Sequence, residues 1–297
     1  MTNNTWKKLG LTVMSASALF LAACSDDSSD SNDSADGNLS GEIELAYVSW
    51  DSEIASTNVI GQVLEDVGYD VKLTALDNAI MWEAVANDEA DAMVSAWLPG
   101  THAPQYENYS DQMERLGPNL EGAKIGLVVP EYMDVDSIAD LTDQADQTIT
   151  GIEAGAGVVA AAEQALEDYD NLSDWEIQAS SSGAMVTQLK DAYENEEEIV
   201  VTGWSPHWKF QSYDLKYLDD PQEVFGGEET IDTFVREGFK DDMPEAYEIL
   251  DNFHWEASDM ESVMLEIQDG ADPEDAAENW IENNQDKVSE WTEGVVE

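Results

Sequence analysis

Three tryptophans sit where a buried strand has no need of them. Trp50 follows the apolar run "IELAYV" (43–48), Trp97 lies at the end of "AMVSAWL" and Trp204 closes "EIVVTGW". Trp97 and Trp204 each begin a Trp-x-Pro turn, "WLPGTH" and "WSPHW". The spacing also repeats. Trp97 lies 47 positions after Trp50, and Trp204 lies 47 positions after Gly157. An indole face joins an apolar wall to a negative quadrupole, and each such face attracts a cation by ~0.5–2 kcal/mol. Several faces together suit a quaternary ammonium, whose charge is spread over methyl groups and which has no N–H to donate. Any one of these tryptophans taken alone would be ordinary packing. The three together, at strand ends, make a cage.

A second chemistry accompanies the first. "GIEAGAGVV" (151–159) puts glycines just ahead of a predicted helix. A helix N-terminus offers free N–H groups and a partial positive charge. The amides of Gly157 and Val158 can therefore hold a carboxylate, and His102, close after Trp97, is a further donor. The glycine-rich turn has neither the Lys-Ser/Thr of a phosphate loop nor the full dinucleotide-binding spacing, so a nucleotide is not expected. His207 and His254 read as structural. The histidines form no cluster of the kind that binds zinc, and no metal or cofactor is expected.

These residues need a frame. "IELAYV" reads as a strand, "SEIASTNVIGQVLEDVG" as a helix with Ile54, Val59, Val63 and Val67 inward, and "DVKLTAL" as a strand. "NAIMWEAVANDEA" is a helix and "AMVSAWL" a third strand. A second series repeats the order: "TITGIE", a helix through about Tyr169, "WEIQAS", a helix over "SGAMVTQLKDAYENE", then "EIVVTGW". Such alternation predicts two parallel-sheet βαβαβ units. "KIGLVVP" (124–130) would carry the chain from one to the other. The last third reads as helical. Pro244 starts one helix, Ser258 and Glu261 form a capping box for the next, and Gly270 ends it. Asp272-Pro273 then opens a final helix with Ala277, Trp280, Ile281, Val288 and Trp291 on one face. These tryptophans, with Trp82, Trp175 and Trp255, read as core. In open parallel sheets, ligands lie beyond the carboxyl ends of the strands, which is where Trp50, Trp97 and Trp204 fall.

Composition restricts the setting. The 297 residues carry a formal charge of −55, with 66 acidic and 11 basic side chains. Such a surface repels nucleic acid and anionic membranes, and at low salt it repels itself. In roughly 1 M salt the screening length falls to ~3 Å, so the charge reads as adaptation to a salty exterior. Residues 1–24 pair Lys7 and Lys8 with an apolar stretch ending in "LAAC". As a helix, Leu9–Ala23 would reach ~22 Å against a hydrocarbon core of ~30 Å, so it reads as a signal peptide and not a membrane span. The box resembles a bacterial lipoprotein cleavage site, which would leave the sole cysteine, Cys24, as a lipid-modified N-terminus. Residues 25–41 hold Ser, Asp, Asn and Gly almost exclusively and read as a flexible acidic tether.

At this point a resemblance becomes specific. "YVSWDSEIAST", "SAWLPGTH", "TGIEAGAG", "VTGWSPHW", "YDLKYLDDP" and "FHW" resemble the glycine betaine/proline betaine-binding proteins of bacterial osmoprotectant ABC importers. The resemblance covers roughly residues 42–292. It implies an α/β, two-lobed, type II periplasmic-binding-protein-like fold, each lobe a mixed, mainly parallel sheet flanked by helices, with ligand in the inter-lobe cleft. Lobe 1 would comprise 42–130 plus 222–297, and lobe 2 131–221. The resemblance also implies a cage of Trp50, Trp97 and Trp204, and carboxylate contacts from His102, Gly157 and Val158. Val158 stands where a relative has Ile, a change of little weight for a backbone contact. The expected partners are a small zwitterion, an ABC permease with its ATPase, and the membrane through a lipid anchor. The protein would act as a monomer on the outer face of the cell membrane. Two other classes stay open: a binding protein for choline or carnitine, and an enzyme acting on a betaine-like compound, for which only His102 offers acid–base chemistry beside the cage.

Overall fold

The computed structural model describes residues 39–295. The expected signal peptide, Cys24 and all but the end of the expected tether lie outside the described residues. The first series forms as predicted: β1 (Glu42–Tyr47), α1 (Asp51–Asp66), β2 (Asp70–Ala75), α2 (Asn78–Ala86) and β3 (Ala92–Leu98). β1 lies between β2 and β3 and is parallel to both. All of β3 is buried, which is why it reads as an apolar run interrupted by Ser95 alone, with no alternation. α1 is buried along most of its length because it is packed on one side against the sheet and on the other against C-terminal helices. Ile54 and Val67, expected inward, are only half-buried.

After α3 (Ala103–Tyr109) comes β4 (Met113–Pro130), a strand long enough to serve two sheets. Met113–Ala123 pairs with a later strand in the first sheet, and Lys124–Val128 pairs with the second. The change of pairing at Ala123/Lys124 precedes the lobe boundary expected at residue 130. The second series follows as β5 (Thr148–Thr150), α4 (Gly157–Asp168), β6 (Glu176–Gln178), α5 (Ser182–Glu194) and β7 (Val200–Ser205). β5 is parallel to both β6 and β7. α6 (Lys209–Ser212) leads to β8 (Leu215–Tyr217), which pairs with the end of β4.

β9 (Glu229–Arg236) was not predicted. It lies between β3 and β4, antiparallel to both, and makes the first sheet mixed. The rest is helical: α7 (Phe239–Asp242), α8 (Pro244–Asn252), α9 (Ala257–Gln268), α10 (Pro273–Asn283) and α11 (Gln285–Trp291). Two local expectations need correction. The capping box of α9 is Glu256 with Asp259, not Ser258 with Glu261, so the helix starts a little earlier. The expected final helix is two helices. Asn284 leaves helical geometry at φ −129° and its side-chain amide donates to the Trp280 carbonyl at 2.7 Å, the local competition that makes asparagine a poor helix interior.

Candidate functional site

The parallel strands of both sheets end at a common cleft, and the turns that follow them carry the side chains expected to bind. On the first-sheet side, Trp50 is the N-cap residue of α1 and Trp97 stands near the end of β3. The turn after β3 is tied down by Glu229 at the start of β9, which accepts the Gly100 and Thr101 amides at 2.6 and 2.7 Å and the Thr101 hydroxyl. On the second-sheet side, Trp204 lies near the end of β7, and α4 points its N-terminus into the space. The Leu98–Pro99 and Ser205–Pro206 bonds of the two Trp-x-Pro turns are both cis.

Five of the six residues predicted for binding line one pocket: Trp50, Trp97, Gly157, Val158 and Trp204. The space between these walls is narrow, and it reaches about 300 Å³ only when the open mouth is counted. The tryptophans are at most 7% exposed, so the walls have closed upon each other. Gly157 shows how close they come. A Cβ there would lie 2.4 Å from the Thr101 carbonyl oxygen on the facing wall. The glycine read as a place for a ligand to approach is thus also where the two walls meet.

His102 is placed differently from the other five. It does not line the pocket. Its ring is stacked behind Trp50, 5.9 Å between centroids at 19°, with Trp82 edge-on at 5.8 Å. Nδ1 accepts the Trp97 amide at 3.0 Å, which fixes the tautomer and leaves the proton on Nε2. That Nε2 is buried and has no partner among the described residues. Burial drives the imidazole down to about 3, so it is a neutral donor. Trp204 Nε1 is likewise buried and unpartnered. The amides of Gly157 and Val158 have no acceptor among the described residues, because N-cap residue Ala156 provides no side-chain oxygen. Unsatisfied donors of this kind are costly in a folded protein, and together they call for an acceptor.

The walls are bridged directly as well. Trp50 Nε1 donates to Glu153 of the loop before α4, and Asn78 Nδ2 donates to the Gly155 carbonyl at 3.3 Å. Asp51, at the start of α1, accepts Ser182 Oγ and Trp208 Nε1, each at 2.8 Å. Lys209 was not predicted to matter, yet it is fully buried with Nζ 4.4 Å above the Trp204 ring. Burial lowers its ammonium to about 7, with Asp51 opposing the shift. Glu53 was also missed. It lines the pocket, fully buried, and Oε1 accepts Trp97 Nε1 at 2.8 Å. Its position one helical turn after Trp50 was the available signal, but an acid in a first helical turn ordinarily reads as a response to the helix dipole.

A sequence profile of the substrate binding domain of ABC-type glycine betaine transport systems matches residues 41–283. The chain belongs to this family. The glycine betaine/carnitine transport binding protein GbuC of Listeria monocytogenes is 53% identical over 161 residues, which is 54% of this chain and 54% of GbuC. The match thus spans about half the length of that curated relative. A lactococcal OpuAC structure, closed and liganded with glycine betaine, shares 56% identity with a TM-score of 0.83, covering 85% of this chain and 99% of that one. A choline-binding protein in complex with choline shares 26% identity with a TM-score of 0.80, covering 86% and 92%. The fold is that of the type II periplasmic binding proteins. Among the described residues, no helix is long and apolar enough to cross a membrane.

Proposed function

We propose that the protein captures glycine betaine, or a related zwitterionic quaternary ammonium solute, outside the cytoplasm and delivers it to an ABC importer for osmoprotection. The observation that carries this reading is the division of unsatisfied groups around one pocket. Three indoles offer aromatic faces, and the Gly157 and Val158 amides with Trp204 Nε1 offer donors that lack acceptors. A trimethylammonium answers the first set and a carboxylate answers the second. Membership of the family supports the role, and the lactococcal relative holds this ligand in its closed form.

A binding role is favoured over an enzyme acting on betaine-like compounds, because His102, the one acid–base residue that reading offered, stands behind Trp50, outside the pocket, with one nitrogen occupied. Choline carries no carboxylate and would leave the donors unmatched. Carnitine, named for the Listeria relative, carries both groups farther apart and is the more serious competitor. Titration calorimetry with glycine betaine, proline betaine, dimethylsulfoniopropionate, carnitine and choline tests the reading. Choline binding as tightly as glycine betaine would overturn it.

Anchoring belongs to the same proposal. Lys7, Lys8 and "LAAC" support export followed by lipid modification at Cys24, and the acidic run after it supports a tether. The wild type should partition with membranes, and Cys24→Ala should be released or left unprocessed. Equal partition of both into the soluble fraction would end the anchoring part.

A further inference from the structure

Glu53 is a carboxyl group inside an almost wholly apolar pocket. One oxygen is accounted for: Oε1 accepts Trp97 Nε1 at 2.8 Å and Ser52 Oγ at 3.3 Å. The other, Oε2, is buried and has no hydrogen-bond partner among the described residues. Nor does any lysine, arginine or histidine among the described residues pair with it. The residue is fully buried. Ionising an acid placed so carries a desolvation penalty that no counterion among the described residues offsets. A purely structural anchor for Trp97 would need only a neutral acceptor, which glutamine supplies at nearly the same size.

We propose that Glu53 is the countercharge of the cleft: its free carboxylate oxygen selects a ligand by the positive charge of its head and fixes which way round a zwitterion sits. This rests on the reading that the pocket takes a quaternary ammonium zwitterion. The cationic head goes to the Trp97–Glu53 side. The carboxylate goes to the opposite side, where the α4 amides wait. The indoles would attract any apolar head of that shape through contact area, and by quadrupole would add a preference for charge. A buried carboxylate adds a stronger one, because an uncharged head leaves it unanswered.

The surroundings leave this role to Glu53. Asp51 is already satisfied by Ser182 and Trp208, and Glu153 by Trp50. His102 and His207 are pushed well down by burial and are neutral, and Lys209 lies against the Trp204 ring. Burial drives the Glu53 carboxyl up to about 8, against the pull of its bonds from Trp97 and Ser52. An arriving cation favours the ionised form and shifts it back down.

The test uses a shape twin. In 3,3-dimethylbutanoate the quaternary nitrogen of glycine betaine is replaced by carbon, so the outline and carboxylate stay and the positive charge goes. The ratio of dissociation constants for the two compounds is measured by calorimetry, with competition for the weaker one, in the full chain and in Glu53→Gln. General damage to folding or closure cancels in this ratio. The wild type should prefer glycine betaine strongly, and Glu53→Gln should shrink the preference at least about tenfold, with Glu53→Asp between them. An unchanged ratio in a folded Glu53→Gln protein overturns the proposal. Equal loss for both compounds would also overturn it, by showing that Glu53 only positions Trp97. Failure of the wild type to bind glycine betaine would instead refute the reading of the pocket itself.

Discussion

Two groups of tryptophans divide the labour in this molecule. At the C-terminal end, Trp255, Trp280 and Trp291 close upon one another with Phe253. Trp280 and Trp291 stack at 5.6 Å and 9°, Trp255 meets Trp280 edge-on at 5.7 Å, and Phe253 meets Trp291 at 4.9 Å and 90°. Each ring there is answered by another ring. In the cleft the partners are of another kind. Trp50 is backed by the His102 imidazole and Trp204 by the Lys209 amine and His207, while Trp97 is held at its edge by Glu53. Both groups are buried to a similar degree, so burial does not separate them. What separates them is the kind of polar atom left over. At the C-terminal end Trp291 Nε1 donates to the His254 carbonyl at 2.9 Å and the indole Nε1 of Trp255 is left over, whereas around the cleft a carboxyl oxygen, Glu53 Oε2, is left over together with the Trp204 Nε1 and His102 Nε2 donors.

The contrast can be broken most forcefully at Trp291. Trp291→Ala should lower unfolding stability by about 3–5 kcal/mol through the cavity it leaves, yet the protein that remains folded should bind ligand like the wild type. Denaturant titration paired with calorimetry reads both quantities. A large loss of affinity in folded protein would mean that the two groups are not separable. Trp204→Ala should do the opposite, costing about 1–3 kcal/mol of binding, roughly 5- to 150-fold, with a smaller effect on stability. Trp204→Phe should keep more affinity than Trp204→Leu, since only the aromatic residue keeps a quadrupole. Equal binding by the two would reduce Trp204 to a wall.

Lys209 sharpens the comparison through pH. Its folded-state ammonium is lowered from 10.5 to about 7, so between those values the unfolded chain holds a proton that the folded one lacks. Stability from this group therefore rises with pH across that window, and below about 7 the full penalty applies. Lys209→Met should be stabilising at pH 6, and the gain should fade as pH climbs through the window. Melting curves of the two proteins at matched pH check this, and a pH-independent difference would refute it. Salt should have the smallest effect and the least local one. Between roughly 0.1 and 1 M NaCl the melting temperature should rise in parallel for wild type, Trp291→Ala and Trp204→Ala, as screening relieves a net charge of −55. A flat response would leave the acidity unexplained.

The parts legible in the sequence were those set by local pattern. Apolar runs alternating with helical periods revealed both βαβαβ series, and the matched spacing of Trp50, Trp97, Gly157 and Trp204 marked the strand ends that meet at the pocket. β9 escaped because "ETIDTFVR" lies inside the sheet, paired along its edges with β3 and β4, and is buried on both faces, so it shows no alternation, and its pairing partners are far away in sequence. Spacing put His102 near the cage but could not tell that its ring stands behind Trp50. Glu53 and Lys209 escaped for a shared reason. A charged residue in so acidic a chain is expected at the surface, and only the packing around these two reveals that they are inside.

β9 also sets the order in which the chain can assemble. The parallel strands of the second sheet, β5 to β7, are complete once residue 205 has been made. The first sheet, begun at residue 42, must wait for Glu229–Arg236 to slide between β3 and β4. Until then β3, apolar but for Ser95, presents a bare edge to whatever is near. Pairing across such a separation is slow, and exposed apolar edges are where nascent chains aggregate. The half of the protein that is synthesised first is therefore the half that finishes folding last, and it is the half that most needs protection on the way.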